Sequence, residues 1–418
     1  MSVILFIMDG LGDDDHRFRC NKAGRVRVGT PLSLSNTPRL DRLAREGVTG
    51  MLSVHGEGVV PESEDAHLRI FGYDPKSYLP GRGPLEALGA GLRLQEGDIA
   101  FRTNFATYVN GRIVDRRAGR IDTHEAHRLG RIISNITIDG IRFIFKPTVE
   151  HRGVLVLRPG RSKKNKLTDK ITGNDPEHYR VKYGKVRPIG RSYESKHTAE
   201  VINRYLELVH EKLSKSSINE KRKKKGLPVA NYLLLRGPGR YRRIESIKKR
   251  YGLRAVCVAG APLYKGVARY VGMKVVDVPG ATGDKHTNLK NKIDEVNRLI
   301  KSGKYDLIFL HVKATDSFSH DGDCLGKTKF LEKIDRVMGP KLVRLSKEHD
   351  IIITGDHSTP CKLKQHSADP VPIMIVGPDV TPDRVKRFNE RSCSKGRLGV
   401  VSGDKMITII RALLGRVE

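Results

Sequence analysis

The stretch TGDHSTPCKLKQHSADP (354–370) sets Asp356, His357 and His366 directly after an apolar run, DIIIT (350–354). Carboxylate and imidazole together are the common ligands of first-row divalent metals. The alternative reading is a polar loop with incidental histidines. Two other acids stand in the same context. Asp9 closes the apolar run VILFIM, and Asp316 closes YDLIFLHVKATD (305–316), with His320 four residues later in DSFSH. Burying several carboxylates together is costly unless cations neutralise them. With one added hydroxyl, Asp9, Asp316, His320, Asp356, His357 and His366 offer seven donors, enough for two cations that activate a nucleophile and clamp a phosphoryl group. The hydroxyl is Ser63 in PESEDAHLRIFGYDP (61–75), at the start of a helical pattern. Metal coordination makes a serine partly alkoxide-like, and a helix N-terminus favours phosphate. The competing reading of Ser63 is a plain helix cap. His67, four residues on, reads as structural support.

These residues need a scaffold that gathers them. The first segment reads strand (2–7), loop, helix, with Thr37 as N-cap, Pro38 at the first helical position and a closing Gly47. Residues 305–316 read as a strand ending at Asp316, and 327–349 as a helix that Pro340 kinks or divides. Strands follow before Asp356 and over 371–377, and a helix over 405–414 closes the chain. Alternation of this kind predicts an α/β core with a mainly parallel sheet, whose strand ends deliver ligands to one edge. The middle has its own alternation: 142–146, 153–158, a helix near 199–213 and a strand at 231–236. It predicts a second α/β or α+β domain, residues 81–250, inserted into a core of 1–80 and 251–418.

The chain has 418 residues and a formal net charge of +31. The excess is uneven: residues 81–250 hold 39 Lys and Arg against 17 Asp and Glu. RSKKNK (161–166) and EKRKKKG (220–226) belong to this region. A basic field attracts phosphorylated metabolites, nucleic acid or acidic lipid, or is simply a solvated surface. With 6% aromatic residues, no Trp and no nucleic-acid motif, a nucleic-acid partner is the weaker reading. No apolar run approaches the ~18 residues that cross a bilayer. Five cysteines (Cys20, Cys257, Cys324, Cys361, Cys393) without a Cys-x-x-Cys pair point to a reducing, cytoplasmic setting.

Several blocks together carry a family resemblance: IMDGLGD, SEDAHLRIFGYDP, GRGPLEALGAG (81–91), RTNFAT (102–107), IVDRRAGRI (113–121), LYKGVARYVGM (263–273), VPGATG (278–283), HVKATDSFSHDGD (311–323), TGDHSTP and HSADPVP. In this order they resemble the archaeal-type cofactor-independent phosphoglycerate mutases of the alkaline phosphatase superfamily. The resemblance implies an alkaline-phosphatase-like core with an inserted substrate-binding domain. It also implies interconversion of 3-phosphoglycerate and 2-phosphoglycerate, a step of glycolysis and gluconeogenesis, without bisphosphoglycerate. Ser63 would attack the phosphorus and form a phosphoserine; the glycerate reorients and its other hydroxyl takes the group back. The inserted domain should close over the site to exclude water. One metal would be held by Asp9, Ser63, Asp356 and His357, the other by Asp316, His320 and His366. Manganese is implied; the ligand set also suits zinc, cobalt or magnesium.

A substrate with phosphate and carboxylate needs cations, and Arg binds both in bidentate fashion. By the resemblance, Arg116, Arg117, Arg120 and Arg236 hold anionic groups. Asp115 engages a glycerate hydroxyl or assists proton transfer, Lys265 stands near the transferring phosphate, and Asn104 makes a polar contact. The chain departs from the family's blocks at ESED, where Glu62 replaces a small residue, at ATGDKHTN (281–288) and over the basic stretch 177–197. The alternatives are a phosphatase or a phosphopentomutase-like enzyme on the same core.

Overall fold

The computed structural model describes residues 2–13, 19–22, 25–56, 58–160, 166–175 and 184–416. The run 161–165 and the segment 176–183, both singled out for basic charge, lie outside the described residues. The backbone divides into two compact units, Met1–Leu79 with Ile244–Glu418, and Pro80–Arg243.

The first unit is built on an eight-stranded sheet. Its spatial order is Lys274–Val275, Ala255–Val258, Leu307–Val312, Val3–Met8, Asp350–Thr354, Val371–Val376, Val48–Ser53 and Val400–Ser402. Val3–Met8 lies at the centre, parallel to Leu307–Val312 on one side and to Asp350–Thr354 on the other. Only the pairings on either side of Val371–Val376 are antiparallel. The central strands are fully buried along their length, which is why they read as continuous apolar runs rather than alternating ones. Helices Leu289–Lys301 and Cys324–Leu345 pack Ile293, Val296, Ile334, Met338 and Leu342 onto the sheet's core cluster.

Three local expectations are corrected. Residues 305–316 are not one strand: the strand stops at Val312, and Asp316 lies in the first turn of a helix, Ala314–Asp321. Pro340 does not divide its helix, which runs unbroken from Cys324 to Leu345; Met338, Leu342 and Leu345 are buried on either side of it and hold the segment in place. Thr37 starts the helix Pro38–Glu46 but makes no side-chain cap. Asp335 instead accepts from the backbone N–H groups of Arg39 and Leu40 at 2.9 and 2.8 Å.

In the second unit every strand pairing among the described residues is antiparallel, so of the two predicted classes it is α+β. The strand order is Tyr232–Arg240, Ile99–Val109, Arg152–Arg158, Ile141–Pro147 and Ile136–Ile138, with Arg112–Asp115 paired to Ile99–Val109. Alternation decides the faces. Ile99, Phe101 and Phe105 join the core under the helices Thr123–Ile133 and Tyr193–Ser214, where Phe143 stacks on Tyr205 at 4.2 Å. Ala100, Val154 and Val156 face the other way and pack on Ala87 of the helix Arg82–Gly89. Arg102, Asn104 and Arg152 continue that second face.

Candidate active site

The parallel pairings bring the ends of three strands to one edge of the first unit's sheet. Asp9 follows Val3–Met8, and its backbone N–H donates to Val312 O at 3.0 Å. Asp356 and His357 follow Asp350–Thr354. Gly10 turns the chain with φ +60°, and a Cβ there would stand 2.9 Å from Asp316 Cβ, so the carboxylates approach because position 10 has no side chain. Its N–H donates to Asp356 Oδ1 at 3.1 Å. Because Asp316 sits on a helix, His320 lies one turn on and its Nε2 reaches Asp316 Oδ1 at 3.3 Å.

Three imidazoles turn the same atom inward. His320 Nδ1–H donates to Lys364 O and His366 Nδ1–H to Pro61 O, each at 2.8 Å. A carbonyl only accepts, so both rings carry a proton on Nδ1 and turn Nε2 toward Asp316. His366 Nε2 stands 3.6 Å from Asp316 Oδ1. His357 Nδ1 is 3.0 Å from Thr359 Oγ1, and its Nε2 lies 3.5 Å from Asp9 Oδ1 and 3.3 Å from Asp356 Oδ2. Ser63 opens the helix Ser63–Ile70, and its Oγ is 3.2 Å from His357 Nε2. Glu62, not Ser63, is the cap residue. Its φ of −90° is ordinary extended backbone, so the glutamate at this position costs no backbone strain. His67 Nδ1–H donates to Ser63 O at 2.7 Å, tying the helical turn that carries Ser63.

The site is dry. Asp9, Asp356 and His67 are 0% exposed, and Ser63 6%. Asp9 Oδ1 and Asp356 Oδ2 have no hydrogen-bond partner. Burial, reinforced by the Asp9 carboxylate, holds the Asp356 carboxyl above the usual range. Burial also acts on Asp9, but Lys313 and His311 outweigh it and hold that carboxyl well below its ordinary value. At Asp316 burial is likewise overcome, by His320 and Lys313. Orphaned, mutually repelling carboxylate oxygens facing imidazole nitrogens are a donor set that fits divalent cations. Three groups among the described residues meet it geometrically, each offering one ligand atom per residue, all within 4.8 Å of one another: Asp9, Asp356 and His357; Asp316, His357 and His366; and His67, His311 and Asp356, which the sequence did not lead one to expect.

Of the predicted residues outside this cluster, Lys265 pairs with Asp277 at 2.8 Å. Asp115 accepts from the N–H groups of Arg117 and Gly119, each at 2.7 Å. It thereby closes a loop in which Ala118, Gly119 and Arg120 all have positive φ. Arg116 donates from Nε to Asp175 Oδ1 at 2.8 Å, and Arg236 Nε lies 3.8 Å from Asp175 Oδ2. Asn104 is buried on the face that carries Arg102.

The family model for 2,3-bisphosphoglycerate-independent phosphoglycerate mutase matches residues 44–219. A protein of that name from Methanocaldococcus jannaschii is 43% identical over 99% of this chain and 98% of its own length. The chain belongs to this family. Another of that name, from Pyrococcus horikoshii, is 44% identical over 99% of this chain and 97% of its own. Among solved structures, a cofactor-independent phosphoglycerate mutase from Thermoplasma acidophilum aligns at TM-score 0.71 and 35% identity, covering 99% of both chains. A Pyrococcus horikoshii protein aligns at 0.82 and 36%, over 100% of this chain and 98% of its own.

The motifs of the mutase family, read from sequence, passed over three side chains that line the acid cluster. Lys313 Nζ reaches Asp316 Oδ2 at 2.8 Å, Tyr264 OH at 3.0 Å and Asp9 Oδ2 at 3.3 Å. Tyr264 OH donates to Asp9 Oδ2, and His311 Nε2 stands 3.3 Å from the same oxygen. Burial holds the His311 imidazole down at about 3, so it is neutral. The one signal was HVK itself, a histidine and a lysine at the end of an apolar strand just before an acid.

Proposed function

We propose that this chain interconverts 3-phosphoglycerate and 2-phosphoglycerate through a phosphoserine on Ser63, without bisphosphoglycerate, at a site holding two divalent cations. The observation that carries the reading is the placement of the Ser63 hydroxyl 3.2 Å from His357 Nε2, against the buried acids, in a chain whose full-length relatives bear the mutase name. Asp9, Ser63, Asp356 and His357 would hold one cation, and Asp316, His320 and His366 the other; manganese is the ion proposed. Bound there, the cations lower the pKa of the serine hydroxyl and neutralise the phosphoryl oxygens.

The chain's own residues supply the rest. Ser63 opens a helix, whose first N–H groups lack intrahelical acceptors and suit a phosphate. Its oxygen forms a bond to phosphorus as the bond to the glycerate oxygen breaks. The second glycerate hydroxyl later reverses this from the other carbon. Arg116, Arg117, Arg120 and Arg236 hold the glycerate's anionic groups, and Asp115 keeps the arginine loop in shape. The dry pocket protects the phosphoserine from water.

The test is a coupled assay on 3-phosphoglycerate with manganese and without bisphosphoglycerate. Conversion to 2-phosphoglycerate without release of inorganic phosphate is expected, and Ser63→Ala, which removes one hydroxyl, should abolish it with the fold intact. Release of phosphate at the rate of substrate loss would make the chain a phosphatase. Isomerisation by Ser63→Ala would remove the phosphoserine route.

A further inference from the structure

The face of the second unit's sheet that continues past the helix Arg82–Gly89 has an unusual charge arrangement. Arg102 and Arg236 are direct cross-strand partners, a pairing of like charges that destabilises a sheet unless something offsets it. Arg152 pairs in register with Asn104 on the same face. Arg82 and Arg102 both flank Gly237. Glu86 and Asp175 are carboxylates that meet these arginines and Arg116. Glu86 stands 3.6 Å from Arg102 and 3.9 Å from Arg82.

Asp175 is held in place with unusual care. Gly173 packs so tightly on the strand Tyr232–Arg240 that a Cβ would lie 2.4 Å from Leu235 O. Asn174 then clips the loop to that strand: its Oδ1 accepts from Leu235 N at 2.6 Å, its Nδ2 donates to Leu233 O at 3.2 Å, and its N–H donates to Leu235 O at 3.0 Å. The next residue is Asp175, delivered beside Arg236, the strand's next position. Its side chain is 4% exposed, whereas Arg116 and Arg236 are 23% and 40% exposed. Arg116 meets Asp175 Oδ1 with both Nε and Nη2 at 2.8 Å, which fixes the plane of its guanidinium. Asp175 Oδ2 has no hydrogen bond of its own.

We infer that Asp175 is a positioning residue for substrate binding: it fixes the Arg116 guanidinium, and sets the charge beside Arg236, so that the two present a preformed clamp to a carboxylate or phosphate. The inference rests on the mutase reading for the identity of the anion, and not for the clamp itself. Burial together with Arg116, Arg82 and Arg152 lowers the Arg236 pKa while Asp175 raises it, in keeping with a carboxylate that steadies crowded cations.

The test uses the full chain loaded with manganese, Asp175→Asn as the isosteric variant and Asp175→Ala as the stronger one. With both folded as the wild type by thermal melt, KM for 3-phosphoglycerate should rise several-fold in Asn and about tenfold or more in Ala, the range of a lost charge-assisted contact, while kcat stays within about threefold. Calorimetric titration with 3-phosphoglycerate should weaken in the same order. An unchanged or lower KM in either folded variant would show that the carboxylate merely competes with the anion, and would overturn the proposal. So would equal losses in kcat and melting temperature with KM unmoved. If the wild type fails to isomerise, the mutase reading falls. The clamp then stands or falls on calorimetry alone, by whether the wild type binds 3-phosphoglycerate and Asp175→Ala binds it more weakly.

Discussion

The two units carry opposite electrostatic problems. In the first, Asp9, Asp316 and Asp356 crowd together at 1% exposure or less. In the second, Arg102, Arg116 and Arg236 crowd together at 23–40% exposure of their side chains. Burying unneutralised charge is far costlier than exposing it. A dry cluster of acids therefore suits partners that stay, such as resident cations, whereas a half-wet cluster of arginines suits a ligand that enters and leaves each turnover. The internal partners differ in the same sense. Lys313 spans Asp9 and Asp316 from within the dry cluster, while Asp175 and Glu86 stand among the half-exposed arginines.

The largest expected effect strikes the dry side. Chelation should silence the wild type and divalent manganese should restore it, whereas Asp316→Ala should stay at least roughly a thousandfold down whatever the metal. The cation should also stabilise the fold by about 3 kcal/mol at a hundredfold excess over Kd, read as a rise in melting temperature that Asp316→Ala reduces. Full activity in exhaustively stripped protein would collapse the contrast, because Lys313 would then be sufficient neutralisation. A smaller effect belongs to the wet side. Arg236→Lys keeps the charge but loses the planar fork, and should raise KM for 3-phosphoglycerate by roughly tenfold with manganese affinity unchanged. A change in manganese affinity instead, measured by the signal of free ion in spin resonance, would mean that the two clusters are not separate in function.

How far the sequence reveals each cluster follows from the same difference. Asp9, Asp356 and His357 stand out because each interrupts a continuous apolar run, and only a parallel sheet turns such interruptions into neighbours. Asp316 is also conspicuous, but its element is misread, since the helix it belongs to starts at Lys313 without a capping side chain. Lys313 and His311 pass as strand residues, because nothing local says that the strand end faces two acids. Asp335, capping a helix from 296 residues away, is invisible for the same reason. In the second unit the arginines of DRRAGR are legible as a block. The partnership of Arg116 with Asp175 is not, because it depends on the antiparallel register and on Asn174 gripping a strand about 60 positions on.

The smallest effect tests the comparison through two neutral histidines. At His311 burial, joined by His67 and Lys292, keeps the ring neutral against the Asp9 carboxylate, which favours protonation. His151, 4% exposed in the second unit, has burial and the positive charges of Arg152, Arg117 and Arg120 acting together, outweighing Asp115 and the Glu150 carboxylate 3.7 Å from its Nδ1, and falls from 6.5 to about 4. The unfolded chain protonates this imidazole below 6.5 while the folded chain refuses the proton. Its contribution is therefore complete above pH 6.5 and is lost as pH falls from 6.5 to about 4, and it amounts to at most roughly 3 kcal/mol. Melting temperatures taken between pH 7 and pH 5 should fall more for the wild type than for His151→Gln, whose amide does not titrate. Raised salt should shrink the difference, since part of it comes from half-exposed arginines. Equal acid sensitivity in the two proteins would mean that these arginines exert no field on the imidazole, and the wet cluster would be a set of ordinary surface charges.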